Sequence, residues 1–205
     1  MELSERIKNI NGGGSDGWDV FNRARQMIAD GIPVVELTIV EHDILTNPAI
    51  LEAMNKAAMG GHTDYATVPG THALRETVAA RIQARTGVPT TKDNILITPG
   101  GQAALFAAHT AVCDAGDVAL YVDPYYATYP GTIRGVGAIP RVVGTSPDTA
   151  FQPTAAALND AAKGAKSLLV NTPNNPTGVV YSTETLQAIA DTCIANDLWL
   201  ISDEV

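Results

Sequence analysis

Four short stretches carry the side chains that could do chemistry. Asn171 to Gly178 reads NTPNNPTG, and one helix later the chain runs Leu198-Trp199-Leu200-Ile201-Ser202-Asp203-Glu204-Val205. The first offers the amide of Asn175, the second the carboxylate of Asp203, and the two can face one ligand. Upstream, Ile95-Leu96-Ile97-Thr98 leads through Pro99-Gly100-Gly101 into a helix starting near Gln102. Free amides at a helix start bind anions, and glycine lets backbone approach a phosphate closely. The fourth stretch, Asp123-Pro124-Tyr125-Tyr126-Ala127-Thr128-Tyr129-Pro130, places three tyrosines together in a chain only 5% aromatic. Each has a plainer reading alone: a turn asparagine, a strand-end aspartate, a steric glycine turn, a core tyrosine.

The elements that must position them follow from periodicity. Ser167-Leu168-Leu169-Val170 is a short apolar run suited to a strand buried on both faces. Leu186, Ile189, Ala190, Cys193 and Ile194 recur at helical spacing, with Ser182 or Thr183 to cap the start. Strand, helix and strand with short joints form a βαβ unit, whose strands are parallel and whose crossover is right-handed. Both loops therefore share the edge outside the carboxyl ends of the strands, where open parallel sheets bind ligands.

Further strands are expected at Val34 to Val40, Ile95 to Thr98, Val118 to Val122 and Ile139 to Val143. The expected helices are one from about Asp16 ending at Gly31 and Pro33, one opened by Thr46-Asn47-Pro48, and one carrying Leu74, Val78 and Ile82 to Gly87. Gln102 to Val112 and Ala155 to Ala162 complete the set. The second helix is expected to turn Ile50, Met54, Ala57 and Ala58 inward, and Gln102 to Val112, apolar nearly all round, to be buried. Gly12-Gly13-Gly14 follows no apolar strand and reads as a flexible arm, not a phosphate loop.

Composition narrows the classes. The 205 residues, 45% hydrophobic and 17% charged, have the balance of a soluble globular protein with one or two domains. A formal net charge of -9 argues against nucleic acid or an anionic membrane as partner. Ala103 to Ala108 is too short an apolar stretch to span a bilayer, and Met1-Glu2-Leu3-Ser4-Glu5 is no signal segment, so a cytoplasmic location is the expectation. Cys113 and Cys193, each on a helix face, read as buried free thiols, with no metal site implied.

Taken together, these residues resemble the fold type I pyridoxal-phosphate enzymes, and among them the class I/II aminotransferases, from about Val34 onward. NNPTG followed by SDE at a second strand is the specific part of the match; the glycine turn and the tyrosine segment add to it in the right order. The implied fold is α/β: a three-layer large domain with a mainly parallel sheet, incomplete at the C-terminus. Residues 1–45 would be an N-terminal arm and the start of a small domain, and 46–205 the N-terminal part of the large cofactor-binding domain.

The resemblance further implies pyridoxal 5'-phosphate as cofactor, with Asp203 facing its pyridine nitrogen and Asn175 its ring hydroxyl oxygen. Gly101 and Gln102 would cradle the phosphate through their amides, with Gly100 allowing the approach, and Tyr126 would stack on the ring. Tyr65 matches a tyrosine that reaches the phosphate of the neighbouring subunit, so a homodimer is implied. Asp123-Pro124 and Asn175-Pro176 correspond to bonds often cis in the family. The substrates would be an amino acid and a 2-oxo acid.

Two departures stand out. Where the family places a glycine beside the substrate carboxylate, Val40 stands in Val40-Glu41-His42-Asp43. In such enzymes the lysine that forms the Schiff base lies downstream of SDE, and Lys8, Lys56, Lys92, Lys163 and Lys166 all lie outside that motif. No catalytic residue is therefore expected in this chain, and the 205 residues alone are expected not to transaminate. The alternatives are a fold type I carbon–sulfur β-lyase, which shares these cofactor contacts, and a non-catalytic fragment of the fold.

Overall fold

The computed structural model describes residues 1–15, 17–39 and 43–205. In chain order the helices are α1 (Glu5–Lys8), α2 (Trp18–Ala29), α3 (Pro48–Met59), α4 (His72–Thr86), α5 (Gly101–Val112), α6 (Tyr129–Gly135), α7 (Ala155–Ala162) and α8 (Thr183–Asn196). The strands are β1 (Val118–Val122), β2 (Ile139–Val143), β3 (Ala165–Asn171) and β4 (Trp199–Asp203), with short 3-10 turns at Lys92–Asn94 and Pro147–Thr149. Contacts divide the chain into two compact units, Met1–Asp19 with Pro99–Val205, and Val20–Thr98.

The first unit is a parallel sheet in the order β2-β1-β3-β4. Alternation along its strands sorts side chains to two faces. Leu120, Val122, Leu168 and Val170 join Leu158 and Ala162 of α7 and Ile189 and Cys193 of α8 in one core. Ala119, Tyr121 and Leu169 join Leu105 of α5 and Tyr129 and Ile133 of α6 in the other. Helices thus cover both faces, and the central strands are buried as their continuous apolar runs require.

Local capping explains the helix boundaries. Asn47 accepts from the Ala49 amide and Pro48 stands at the first position of α3. Thr154 accepts from Ala157 at α7, and Ser182 from Thr185 at α8. Gly87 ends α4 in the left-handed conformation, φ +73, its N–H donating to the Gln83 carbonyl. Cys113 and Cys193 are buried free thiols.

Several expectations fail. Residues 34–39 form no strand, and Val35 and Leu37 are exposed. Glu36 is held instead by Arg25 (3.2 Å) and the Thr38 hydroxyl (2.9 Å). Ile95 to Thr98 also forms no strand: the Ile97 amide donates to the Pro69 carbonyl, and the Ile95 carbonyl accepts from the Arg75 guanidinium. Both stretches are apolar enough for strands but have no neighbouring strand among the described residues, and a ladder needs one. On α3, Ile50, Met54, Ala57 and Ala58 are all exposed, because no described element of its unit covers that stripe. Helix α5 buries only Leu105 and His109, leaving Phe106 half exposed, so its apolar composition overstates its burial. On α8, Ile189 and Cys193 are buried while Leu186 and Ile194 face outward.

His109 on α5 is fully buried, with Leu105 a turn before it and Cys113 just after the helix also buried, and neither ring nitrogen has a hydrogen-bond partner among the described residues. Burial pushes its pKa below the ordinary 6.5. Between the lowered folded pKa and the unfolded one the unfolded state binds more protons, so stability falls as pH drops below about 6.5. His109→Leu removes both unpaired nitrogens and is expected to flatten this acid limb, so that urea melts at pH 8 and pH 5 differ less in the variant than in the wild type.

Among the described residues no helix is long and apolar enough to cross a membrane, and no three His, Cys, Asp or Glu residues are grouped to hold a metal ion.

Candidate functional site

The carboxyl ends of β1, β3 and β4 open on one edge of the sheet, and the start of α5 meets them there: a Cβ on Gly101 would lie 3.6 Å from the Val205 side chain. Gly100 takes φ +86, open to glycine, and a Cβ there would meet no atom within 4 Å. No side chain caps this 12-residue helix. Its first amides, Gly101 and Gln102 among them, have no intrahelical acceptor, the arrangement that at helix starts favours an anion. The Gln102 side chain turns away from that helix start and donates to the Thr132 hydroxyl of α6.

Asp203 ends β4, and its carboxylate is held from two sides. The Tyr129 hydroxyl donates to Oδ2 at 2.7 Å and the Val205 amide to Oδ1 at 3.3 Å. Tyr129 is buried; burial first, then the neighbouring Asp203 carboxylate, pushes its phenol well above the ordinary 10 and keeps it a donor. The Tyr126 ring meets Tyr129 edge to face at 5.9 Å between centroids and is partly exposed, leaving surface for a flat ligand.

Asn175 is exposed, and its side-chain amide has no partner among the described residues. Its backbone N–H donates to Asn171 Oδ1 at 2.7 Å, while Asn171 Nδ2 donates to the Asp203 carbonyl at 2.9 Å. The buried Asn174 takes the turn role. Its Oδ1 accepts from the Thr177 amide (3.2 Å) and hydroxyl (2.7 Å), and its Nδ2 donates to the Pro124 carbonyl (3.1 Å), tying the loop to the segment after β1. Asp123-Pro124 and Asn175-Pro176 are both cis, as is Thr172-Pro173.

One edge of one unit therefore carries Gly100, Gly101, Gln102, Tyr126, Asn175 and Asp203. Tyr65 lies in the other unit, fully exposed on its loop beside Thr63 and Asp64. Val40 lies outside the described residues. Asn174 fills the turn role that the sequence allowed it, and reading the sequence missed two residues that hold the others, Tyr129 and Asn171. Tyr129 had a signal in the tyrosine cluster. Asn171 had only its place at a strand end.

Tyr129→Phe is expected to destabilise the protein by about 1.5–3 kcal/mol, the range for a hydrogen bond to a charged group. Equilibrium urea unfolding at neutral pH checks it, and an unchanged midpoint would mean that the Tyr129 hydroxyl does not support Asp203.

The family profile described as Aminotransferase class I and II matches residues 32–205. A probable aspartate/prephenate aminotransferase of Thermus aquaticus is 36% identical over 204 residues, covering 99% of this chain and 53% of the relative. An arginine–pyruvate transaminase of Pseudomonas aeruginosa is 31% identical over 208 residues, covering 100% of this chain and 52% of the relative. Among solved structures, an aspartate aminotransferase of Thermus thermophilus with maleate superposes with a TM-score of 0.92 at 34% identity, covering 100% of this chain and 53% of that one. The chain spans about half the length of the relatives it matches.

Proposed function

Since the chain belongs to the class I and II aminotransferase family, we propose that it forms the cofactor-positioning part of an enzyme moving an amino group between an amino acid and a 2-oxo acid. Members of this family use pyridoxal phosphate. The observation that carries the reading is the Asp203 carboxylate, fixed by Tyr129 and joined through Asn171 to the loop of the free Asn175 amide, beside an uncapped helix start.

These residues fit the group. The open space at Gly100 and the first amides of α5 suit a phosphate, and the Asp203 carboxylate suits a protonated ring nitrogen. The unpaired Asn175 amide suits the ring hydroxyl oxygen, and the Tyr126 ring covers a planar face and excludes water. When bound, the cofactor supplies an electron sink for the bonds at the amino-acid α-carbon. The part of Asp203 in that chemistry is to hold the proton on the ring nitrogen with a fixed negative charge.

The reading also takes the protein as a cytoplasmic homodimer in which Tyr65 of one copy reaches the phosphate held by the other. Sedimentation equilibrium tests the assembly; a monomer at micromolar concentration would refute it.

The decisive experiment uses the full-length protein. Pyridoxal phosphate is added and its absorbance followed, the complex is reduced with borohydride and digested, and aspartate, arginine and an S-alkylcysteine are offered as donors with pyruvate as acceptor. The proposal expects saturable binding, a labelled lysine peptide and a new amino acid formed from the acceptor. No label, or release of ammonia and thiol without amino transfer, would overturn it, the latter in favour of a β-lyase.

A further inference from the structure

We propose that Asn171 is a positioning residue that sets the spacing between the Asn175 amide and the Asp203 carboxylate, and through it the fit of the cofactor ring. The inference rests on the pyridoxal-phosphate reading and assigns a role to a residue that reading leaves as scaffold.

Asn171 is the last residue of β3 and stands in register with Asp203, the last residue of β4. At this level the ladder stops: one chain turns into the Asn174–Gly178 loop and the other runs on past Asp203. The Asn171 side chain continues the link, accepting at Oδ1 from the Asn175 N–H (2.7 Å) and donating from Nδ2 to the Asp203 carbonyl (2.9 Å). It does so while 6% exposed, where a lost partner is costly.

The chemistry of the position is restrictive. A carboxamide places a donor and an acceptor at the same end of a short side chain. Aspartate would lose the donor and set a charged oxygen against the Asp203 carbonyl. Leucine, of similar volume, would leave both backbone groups unpaired.

Both bonds go to backbone, so one side chain determines where two functional side chains begin. Their remaining supports differ. The Asp203 carboxylate is separately fixed by Tyr129 and the Val205 amide, whereas the Asn175 amide has no partner of its own among the described residues. Loss of Asn171 therefore acts chiefly through Asn175.

The test uses the full-length protein with Asn171→Asp and Asn171→Leu, each alone and combined with Asn175→Ala. Pyridoxal phosphate affinity is measured by fluorescence titration well below the melting temperature, and amide hydrogen exchange is followed at Asn175. Asn171→Leu is expected to weaken cofactor binding about tenfold and to speed exchange at the Asn175 backbone N–H, with a further loss in the Asn175→Ala background of no more than about twofold; Asn171→Asp, which keeps the acceptor for that N–H, is expected to leave its exchange slow. A lower melting temperature with unchanged affinity would overturn the proposal, as would equal losses in both backgrounds.

Exchange in the wild type tests it without any variant, which covers the case in which the substitutions prevent folding. The Asn175 backbone N–H must be protected, and exchange at the rate of an unstructured loop overturns the proposal. A wild type that binds no pyridoxal phosphate would instead refute the functional reading, a result distinct from any of these.

Discussion

Asp203→Asn is expected to lower amino transfer by about 10²–10³-fold, the scale of losing one preorganised electrostatic partner, with a smaller loss of stability than Asp203→Ala. The side chain does two separable things. Its two oxygens accept from the buried Tyr129 hydroxyl and the Val205 amide, of which the single oxygen of asparagine can keep the first, and its charge faces the place where the cofactor nitrogen would sit, which asparagine cannot match. Asp203→Ala removes both and strands a buried hydroxyl, so it should lose activity to a similar extent and also about 1–3 kcal/mol of stability. The β3–β4 ladder and the Asn171 bond use the Asp203 backbone and survive in either variant. Steady-state kinetics of the full-length protein, paired with urea melts, separate the two effects. Wild-type turnover in Asp203→Asn would remove the carboxylate from the mechanism.

Much of this arrangement is legible in the sequence, and what is not legible has a common cause. β1, β2 and α7 end where the apolar runs and turn residues place them, and Ser182 caps α8 as its spacing predicts. Those features depend on neighbours a few residues away. Val34 to Val40 and Ile95 to Thr98 have the same strand-like composition, but a strand also needs a partner, and composition does not report whether one stands alongside. The apolar stripe of α3 fails for a similar reason, since periodicity shows which side would be buried and not what would bury it.

At the site, the residues gathered on the sheet edge could be read because motifs place them in loops at strand ends and at a helix start. The residues that hold them could not. Tyr129 lies 74 positions from Asp203 and Asn171 lies 32 from it, and both contacts exist only because the sheet order and register bring β4 beside β3 and α6 over the sheet.

In the unit formed by Val20–Thr98, the largest effect on stability is expected at Gly70. Gly70 has φ +104, a region that side chains with a Cβ rarely enter, and a Cβ built there would lie 2.6 Å from Ile97 Cγ1 and 2.8 Å from Ile97 Cβ. The loop has little freedom to yield. The Gly70 amide donates to the Thr67 carbonyl at 2.8 Å, the Thr67 hydroxyl donates to the Gly70 carbonyl at 2.6 Å, and the Ile97 amide is bound to Pro69 at 3.0 Å. Backbone strain and overpacking each cost about 1–3 kcal/mol, so Gly70→Ala is expected to destabilise this unit by about 2–6 kcal/mol. A double-mutant cycle with Ile97→Ala separates the two terms. Truncating Ile97 removes the atom at 2.6 Å but leaves its Cβ and the unfavourable φ, so it should cost less in the Gly70→Ala background than in the wild type and restore only part of the loss. Full restoration would assign the whole effect to crowding, and strict additivity would show that Gly70 and Ile97 do not meet as described. Hydrogen exchange along α4 and the 67–97 segment, compared with exchange in the sheet, reports whether the damage stays within the unit.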